Sequence, residues 1–599
     1  MCGVNGVFAY AGAAPARAEL LATRDHMRRR GPDGAGEWWS DDRRVGLGHR
    51  RLAIIDLDER AAQPMVSADG ALIVTFNGEI YNYKQLRAEL MGQGARFRTD
   101  SDTEVLLHLY AREGRQMVQR LRGMFAFALF DTRRAGLLMA RDPYGVKPLY
   151  YASEAGVLRF ASQVKALLAG GALSRLVDPA GLAGFHLYGH VPEPFTLYQA
   201  IQPLPAGSTL WIDGAGVGEA RPFASIATAL ATAAPCSSPN LQMGVRAAVL
   251  ESVRHHLVAD VAVGAFLSGG VDSGALVGLM RDAGQTRIAT LTLAFPEFRG
   301  SEDDEAPLAE QTAALYGAEH TTRLIHRTEF LDDLPVLFAA MDQPSIDGIN
   351  SWFAAKAARE LGLKVVLSGI GGDELLAGYS TFRDIPRWLR CFGPLSRIPG
   401  AAALAEASLR GMAPRLVKDN PKVLGLLKYG GDWAGAYLLR RAVLLPFEIE
   451  GVMDPDFARQ GLQRLFPLER LRASVTPDPR GDIRRVVALE SANYLRNQLL
   501  RDADWAGMAH GLEIRTPLVD FTLLQTLAPH MPRMAAGRGK RALAAAPSTP
   551  LPSQIVSRRK SGFSVPTAAW IHGRRAPSRL DSRSWADCVL DQALARSAT

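Results

Sequence analysis

The chain has 599 residues, 47 % hydrophobic and 22 % charged, with a formal charge of +8. This ordinary globular composition excludes a disordered or fibrous chain, and the length predicts roughly two or three domains. The positive charge is small for the length and its arginines are dispersed, so no nucleic-acid partner is expected.

No membrane partner is expected either: the longest apolar runs, such as 261–267, fall far short of the roughly 18–20 residues that span a bilayer. Charged residues break up the first thirty positions, so no signal-peptide pattern opens the chain. Cys2, Cys236, Cys391 and Cys588 form no CxxC pair. The expected compartment is reducing, hence cytoplasmic, and Cys236, Cys391 and Cys588 read as plain thiols.

From residue 1 to about 211, short β-like runs alternate with turns at 45–47, 72–76, 124–130, 136–140 and 149–151. Segments 20–29, 83–93 and 103–112 read as helices; in the last, Val105, Leu106, Leu109 and Tyr110 recur at helical spacing. Mixed sheet and helix predicts a layered α+β domain. Residues 226–240, rich in Ala, Ser, Thr and Pro, read as linker.

Beyond Gln242 the texture changes. A helix at 245–256 leads to a buried strand at 261–267, a Gly-rich turn and a helix at 273–282. A strand at 288–295, helices at 307–316 and 349–360, a strand at 364–367 and a second Gly-rich turn follow. This alternation predicts an α/β doubly wound parallel sheet, with ligands at the carboxyl ends of its strands. From Arg383 onward the chain reads as mostly helical with proline breaks. His255 and His256 are adjacent on a helix, point apart and are expected at the surface rather than on a metal.

Removal of Met1 would leave Cys2 with its thiol and a free α-amine on one residue. An amine of pKa about 7.7–8 can serve as base beside such a nucleophile. In isolation, Asn77-Gly78 reads as a β-turn and Arg51 as a surface ion pair. Taken in order, however, the runs Met1-Cys-Gly-Val-Asn-Gly-Val-Phe, Arg30-Gly-Pro-Asp33, Gly48-His-Arg-Arg-Leu-Ala-Ile-Ile-Asp56 and Asn77-Gly-Glu-Ile-Tyr-Asn82 resemble the class II glutamine amidotransferase domain. Ser101-Asp-Thr-Glu104, Arg122-Gly-Met-Phe-Ala-Phe127 and Arg141-Asp-Pro-Tyr-Gly-Val-Lys-Pro-Leu-Tyr150 extend the resemblance over 1–210.

The resemblance implies an N-terminal nucleophile-type αββα sandwich with Cys2 as nucleophile. It implies an oxyanion hole from Asn77 and the Gly78 N–H. Arg51 would fork the glutamine α-carboxylate, Glu79 and Asp102 would hold its ammonium, and backbone groups of Leu52, Ala53, Ile54 and Ile55 would line the pocket.

Leu267-Ser-Gly-Gly-Val-Asp-Ser273 lies between an apolar strand and a helix. Gly269 and Gly270 allow close backbone approach, and successive N–H groups with the Ser268 and Ser273 hydroxyls can cradle an anion. No Walker A sequence occurs. The run resembles the PP-loop of ATP pyrophosphatases, which implies ATP contacts from Phe266, Leu267, Ser268, Gly269, Gly270, Asp272, Ser273 and Leu293. About 100 residues later comes Leu367-Ser-Gly-Ile-Gly-Gly-Asp-Glu374. Ser368 and Gly369 would approach the nucleotide, and Asp272 and Asp373 would hold Mg²⁺.

Together with 504–520 and Arg558-Arg-Lys-Ser-Gly-Phe-Ser-Val-Pro566, the whole resembles the asparagine synthetase family. In its basic loop a lysine, here Lys560, offsets the reaction's negative charge. The expected organisation is a glutaminase domain at 1–215, a linker at 216–241, a synthetase domain at 242–570 and a tail at 571–599 without assigned role. A homodimer is implied by the family alone.

The implied reaction uses ATP to activate a carboxylate, by default L-aspartate, as an acyl-adenylate that ammonia from Cys2 then amidates. Three features depart from the family pattern. Ile370 stands where an acidic residue is usual, the stretch 342–350 differs on the acceptor side, and the lysine often found just before Asp504 is absent. Asp347 or Glu374 could compensate. The alternatives are another carboxylate acceptor, as in surface-polysaccharide or secondary-metabolite biosynthesis, and a non-catalytic binding homologue. The run 267–273 argues against a sugar-phosphate synthase.

Overall fold

The computed structural model describes residues 2–234, 240–412, 415, 420–535, 537–558, 565–572 and 579–595. Two antiparallel sheets form the N-terminal part. The six-stranded one runs Gln202–Pro203, Tyr150–Glu154, Val157–Ala161, Gly3–Ala9, Val45–Arg51, Gly34–Trp39. The other is built around Leu72–Ile80, Gly123–Asp131, Gly136–Arg141 and Ser208–Asp213. Val4, Phe8 and Leu47 of one sheet bury against Ala126, Ala128, Phe130 and Met139 of the other, which fixes them face to face.

Helices Arg17–His26 and Val164–Ala169 cover the first sheet, and Asp102–Glu113 covers the second. The αββα expectation holds. Strand Gly3–Ala9 is buried at every residue, so Cys2 enters the sandwich from the start of a central strand.

The second sheet system has five parallel strands in the order Glu319–Leu324, Ala289–Ala294, Val263–Phe266, Val365–Leu367, Glu513–Arg515. Chain order reverses between Val263–Phe266 and Val365–Leu367. That is the topological switch point, where doubly wound sheets bind ligands, and both Gly-rich turns leave from it. Helices dominate the C-terminal part, as expected.

Residues 216–217 and 221–222 pair back onto Ser208–Asp213, and Ile226–Thr232 is a helix rather than open linker. It buries Ile226, Ala227 and Leu230 and packs against helices Asp482–Glu490 and Phe521–Leu527. The tail forms helix Arg579–Ala595, whose buried Trp585 donates from Nε1 to the Ile346 carbonyl at 3.1 Å.

His256 is buried, against expectation. Its Nδ1 donates to the Ser252 carbonyl at 2.8 Å, and burial pushes its pKa down to about 4, so it is a neutral packing group. Cys2 is a buried free thiol, Cys391 and Cys588 are exposed ones, and Cys236 lies outside the described residues. No helix among the described residues is long and apolar enough to cross a membrane.

Candidate active site

Cys2 and Asn77 meet where the two antiparallel sheets face each other. The Cys2 N–H donates to Asn77 Oδ1 at 2.9 Å. Asn77 is fully buried, and its Nδ2 has no hydrogen-bond partner among the described residues. A buried amide donor left unpaired is costly, and it is suited to an oxygen on which negative charge develops. Gly78 follows at φ +153°, where a Cβ would sit 2.1 Å from the Met124 carbonyl oxygen; only glycine lets the backbone pass. Burial pushes the Cys2 thiol up, while the chain's amino end, a Leu52 backbone hydrogen bond and Arg51 pull it down.

Leu52, Ala53, Ile54 and Ile55 form a buried loop beside this pair. Arg51 donates to the Asp58 carbonyl at 2.9 Å and to that of Asp56, so its guanidinium organises the turn after this loop. Asp102 accepts the Ile80 N–H at 2.9 Å, and burial lifts its pKa to about 6. Burial also lifts Glu79 well above the carboxylate range, with the charges of Glu513 and Asp102 adding to it and Arg515 opposing. Two neighbouring carboxylates strained in this way gain from a bound cation, which is what a substrate ammonium supplies.

In the first Gly-rich loop, Ser268 and Ser273 share a hydrogen bond at 2.9 Å, and the Gly270 N–H donates to Ser268 Oγ at 3.2 Å. Leu267 continues strand Val263–Phe266, and Leu293 lies on the neighbouring strand; both are buried. The second loop packs directly on the first: a Cβ on Gly369 would meet Asp272 Cβ at 2.9 Å, and one on Gly372 would meet Asp272 Cγ at 2.5 Å. Gly371 turns the chain at φ +92°.

Lys540 Nζ joins the two loops, lying 2.5 Å from Asp272 Oδ1 and 2.7 Å from Asp373 Oδ1. Burial opposes the Lys540 charge, but Asp272 and Asp373 outweigh it and hold the ammonium above its ordinary pKa. Hence both carboxylates converge on one cation-sized position. No cluster of three or more His, Cys, Asp or Glu suited to a metal occurs among the described residues. A pair of carboxylates completed by substrate phosphates is how Mg²⁺ is commonly held, so the donor set fits that ion.

Arg558 reaches the first loop, with Nη1 2.8 Å from where a Gly269 Cβ would lie, and pairs with Glu305 at 2.9 Å. Lys560 lies outside the described residues.

The two centres are joined by buried charge. Glu79 Oε2 and Arg515 Nη2 face each other at 3.4 Å, and Arg515 also pairs with Glu513 at 2.5 Å. The Arg515 carbonyl accepts the Ser368 N–H at 2.8 Å. One residue therefore touches Glu79 with its side chain and the second Gly-rich loop with its backbone. Sequence reasoning missed Arg515, and Lys540 as well. The only signal for Lys540 was a lysine among the basic residues that open the short helix Arg538–Ala544.

Comparison with known proteins agrees with this architecture. A glutamine amidotransferase domain family matches residues 1–223, and the asparagine synthase family matches 244–592. The chain belongs to the asparagine synthase family. It is 32 % identical over 583 residues to glutamine-hydrolyzing asparagine synthetase 1 of Bacillus subtilis, covering 95 % of this chain and 88 % of that protein. It is 29 % identical over 559 residues to synthetase 3 of the same organism, covering 90 % and 83 %. A third relative carries a different name: Amidase chry2 of Gibberella zeae is 31 % identical over 382 residues, covering 61 % of this chain and 56 % of that protein. As a family member, this chain is a glutamine-dependent amidotransferase that uses ATP.

Proposed function

We propose that Cys2 hydrolyses glutamine, and that the ammonia amidates a carboxylate activated by ATP at the paired Gly-rich loops. The observation that carries this reading is Asn77: one end of its amide holds the Cys2 nitrogen, and the other is a buried donor without a partner.

Cys2 Sγ attacks the glutamine amide carbon, and its proton passes to the Cys2 nitrogen, a base once Met1 is removed. Asn77 Nδ2 and the Gly78 N–H stabilise the oxyanion. Ammonia leaves, and water releases glutamate from the thioester. Arg51 forks the glutamine carboxylate, Glu79 and Asp102 take its ammonium, and the backbone of 52–55 walls the pocket.

At the second centre an acceptor carboxylate oxygen attacks the ATP α-phosphorus, giving an acyl-adenylate and pyrophosphate. Ammonia then displaces AMP and leaves the amide. Backbone N–H groups at 268–270 and the hydroxyls of Ser268 and Ser273 bind the phosphates, flanked by Phe266 and Leu293 and faced by Ser368 and Gly369. Asp272 and Asp373 would hold Mg²⁺, which when bound offsets phosphate charge; Lys540 and Lys560 add positive charge. Ammonia free in water at pH 7 would be protonated and non-nucleophilic, which is the reason to keep both centres on one chain in a cytoplasmic enzyme.

The names of the bacterial relatives make L-aspartate the first acceptor to test. Ile370, standing where an acidic residue is usual, favours a second reading with another carboxylate.

The test is Cys2→Ala, assayed for AMP, pyrophosphate and amide. The variant is expected to lose glutamine-driven amidation and keep ammonia-driven amidation. A variant that still uses glutamine would refute the assignment of Cys2.

A further inference from the structure

One cavity has no part in the chemistry so far. It measures about 330 Å³, within the roughly 300–1,000 Å³ usual for small-molecule sites. Its walls are the segment 188–192, Ile346 and Asp347, Tyr437, Arg441 and Val443, and the π-helical stretch Ser491–Leu500. Such wide turns are uncommon and concentrate at functional sites. This one contributes Asn493, Tyr494, Asn497 and Gln498 to the lining. The Ile346 N–H donates to the Gly189 carbonyl at 3.0 Å, which ties 188–192 to the stretch 342–350 where the chain departs from its family.

The cavity lies close to the second Gly-rich loop. Arg441 sits over the rings of Tyr494 and Tyr379, 3.9 and 4.5 Å from their centroids. Tyr379 in turn donates to Glu374 Oε1 of that loop at 2.9 Å.

The charges in the lining decide what it can hold. Arg441 is its one cation, and Glu490 already holds it at 2.9 Å. His190, with Nδ1 3.1 Å from Gln498 Oε1, is pushed down to about 3 by burial and is neutral. Asp347 is the one carboxylate, lifted to about 6 by burial. The Arg441 charge is thus already balanced by Glu490, which leaves no net positive charge in this lining for the free α-carboxylate of an amino acid. Arg441 Nη2, a buried donor without a hydrogen-bond partner among the described residues, remains open to a neutral acceptor such as a hydroxyl. What remains is tyrosine rings and three carboxamides, each with one end engaged: Asn493 Nδ2 donates to the Leu489 carbonyl at 2.7 Å, Asn497 Oδ1 accepts the Glu193 N–H at 3.2 Å, and Gln498 Oε1 meets His190. Their opposite ends, an acceptor on Asn493 and donors on Asn497 and Gln498, match a neutral ring bearing hydroxyls.

We propose that this cavity receives the body of the acceptor, and that the acceptor is a sugar acid, with its carboxylate on a polyhydroxylated ring. The inference rests on the acyl-adenylate reading above. Hydroxyls would exchange hydrogen bonds with the carboxamides, a ring face would lie on tyrosine, and the single carboxylate would be left to meet ATP.

The test uses the full-length protein. Binding is measured by ligand-observed NMR for D-galacturonate, its methyl α-glycoside, its UDP-linked form and L-aspartate. Wild type is compared with Val443→Trp, which fills the cavity, and Gln498→Leu, which removes a carboxamide; melting temperatures report folding. ATP–pyrophosphate exchange is run with each ligand. At least one galacturonate form is expected to bind and drive exchange, with binding at least tenfold weaker in both variants; which form binds identifies the source.

Exchange with L-aspartate and no binding of any galacturonate form would overturn the proposal, and so would unchanged binding in both variants. Cavity-dependent binding without exchange for any ligand would support the cavity assignment and refute the acyl-adenylate reading instead.

Discussion

Arg30 ties the carbonyl of Cys2 to the carboxylate of Asp504. Its Nε donates to Cys2 O at 3.1 Å, and its terminal nitrogens fork Asp504 at 2.6 and 3.1 Å. Both side chains are buried, at 2 % and 5 % exposure. Asp504 belongs to helix Arg501–Ala509, which feeds strand Glu513–Arg515 of the parallel sheet. The strand that carries the candidate nucleophile is thus fixed to the partner centre by one guanidinium.

Arg30→Ala leaves Asp504 as an uncompensated buried charge, which costs about 3–5 kcal/mol. The expected outcome in chemical denaturation is a loss of that order. Glutamine-driven amidation should fall further than ammonia-driven amidation, because Cys2 loses its anchor. Equal losses in both assays would make Arg30 a purely structural residue.

Asn77→Ala removes the unpaired donor beside Cys2. Glutaminase kcat is expected to drop about 10²–10³-fold, the usual cost of one oxyanion donor. Ammonia-driven amidation should persist. Steady-state glutaminase assays check the first outcome and pyrophosphate release the second.

Arg515→Lys keeps the charge but loses the planar fork that meets Glu79 and Glu513. Since the Arg515 carbonyl also holds the Ser368 N–H, the variant is expected to raise KM for glutamine and for ATP together, by severalfold each. A change confined to glutamine would show that the two centres are not coupled through this residue.

Several of these relationships were legible in the sequence and others were not, for physical reasons. Strands Val263–Phe266 and Val365–Leu367 are largely buried apolar runs that each lead into a Gly-rich turn, so their pattern gives them away. Glu319–Leu324 is a polar, largely exposed edge strand, and Glu513–Arg515 pairs charges inside the protein; neither follows the hydrophobic pattern. Helix Ile226–Thr232 is short and Ala- and Thr-rich, and its burial depends on a partner domain. The two Gly-rich loops announce themselves by their glycines. Lys540 lies 268 residues from Asp272, and only folding shows that the two meet.

Asp502 predicts a pH dependence of stability. It accepts from Ser345 Oγ at 2.7 Å and Trp505 Nε1 at 2.8 Å, yet burial, with the nearby Asp347 charge, lifts its pKa from 3.8 to about 7. The folded state therefore holds a proton that the unfolded chain releases. This contribution favours folding at low pH and is lost as pH rises from about 4 to about 7. Asp502→Asn is expected to flatten the fall, by up to about 4 kcal/mol over that window. Urea denaturation of both proteins across the range checks it.

The most direct test of the account follows oxygen from acceptor to nucleotide. L-Aspartate and D-galacturonate, each labelled with ¹⁸O in the carboxylate, are incubated with ATP, Mg²⁺ and glutamine, and the products are read by mass spectrometry. If a carboxylate attacks the α-phosphorus, AMP carries one ¹⁸O for whichever acceptor is amidated. If ADP forms and the label appears in inorganic phosphate, the carboxylate is activated at the γ-phosphorus, and the acyl-adenylate at the centre of this account is wrong.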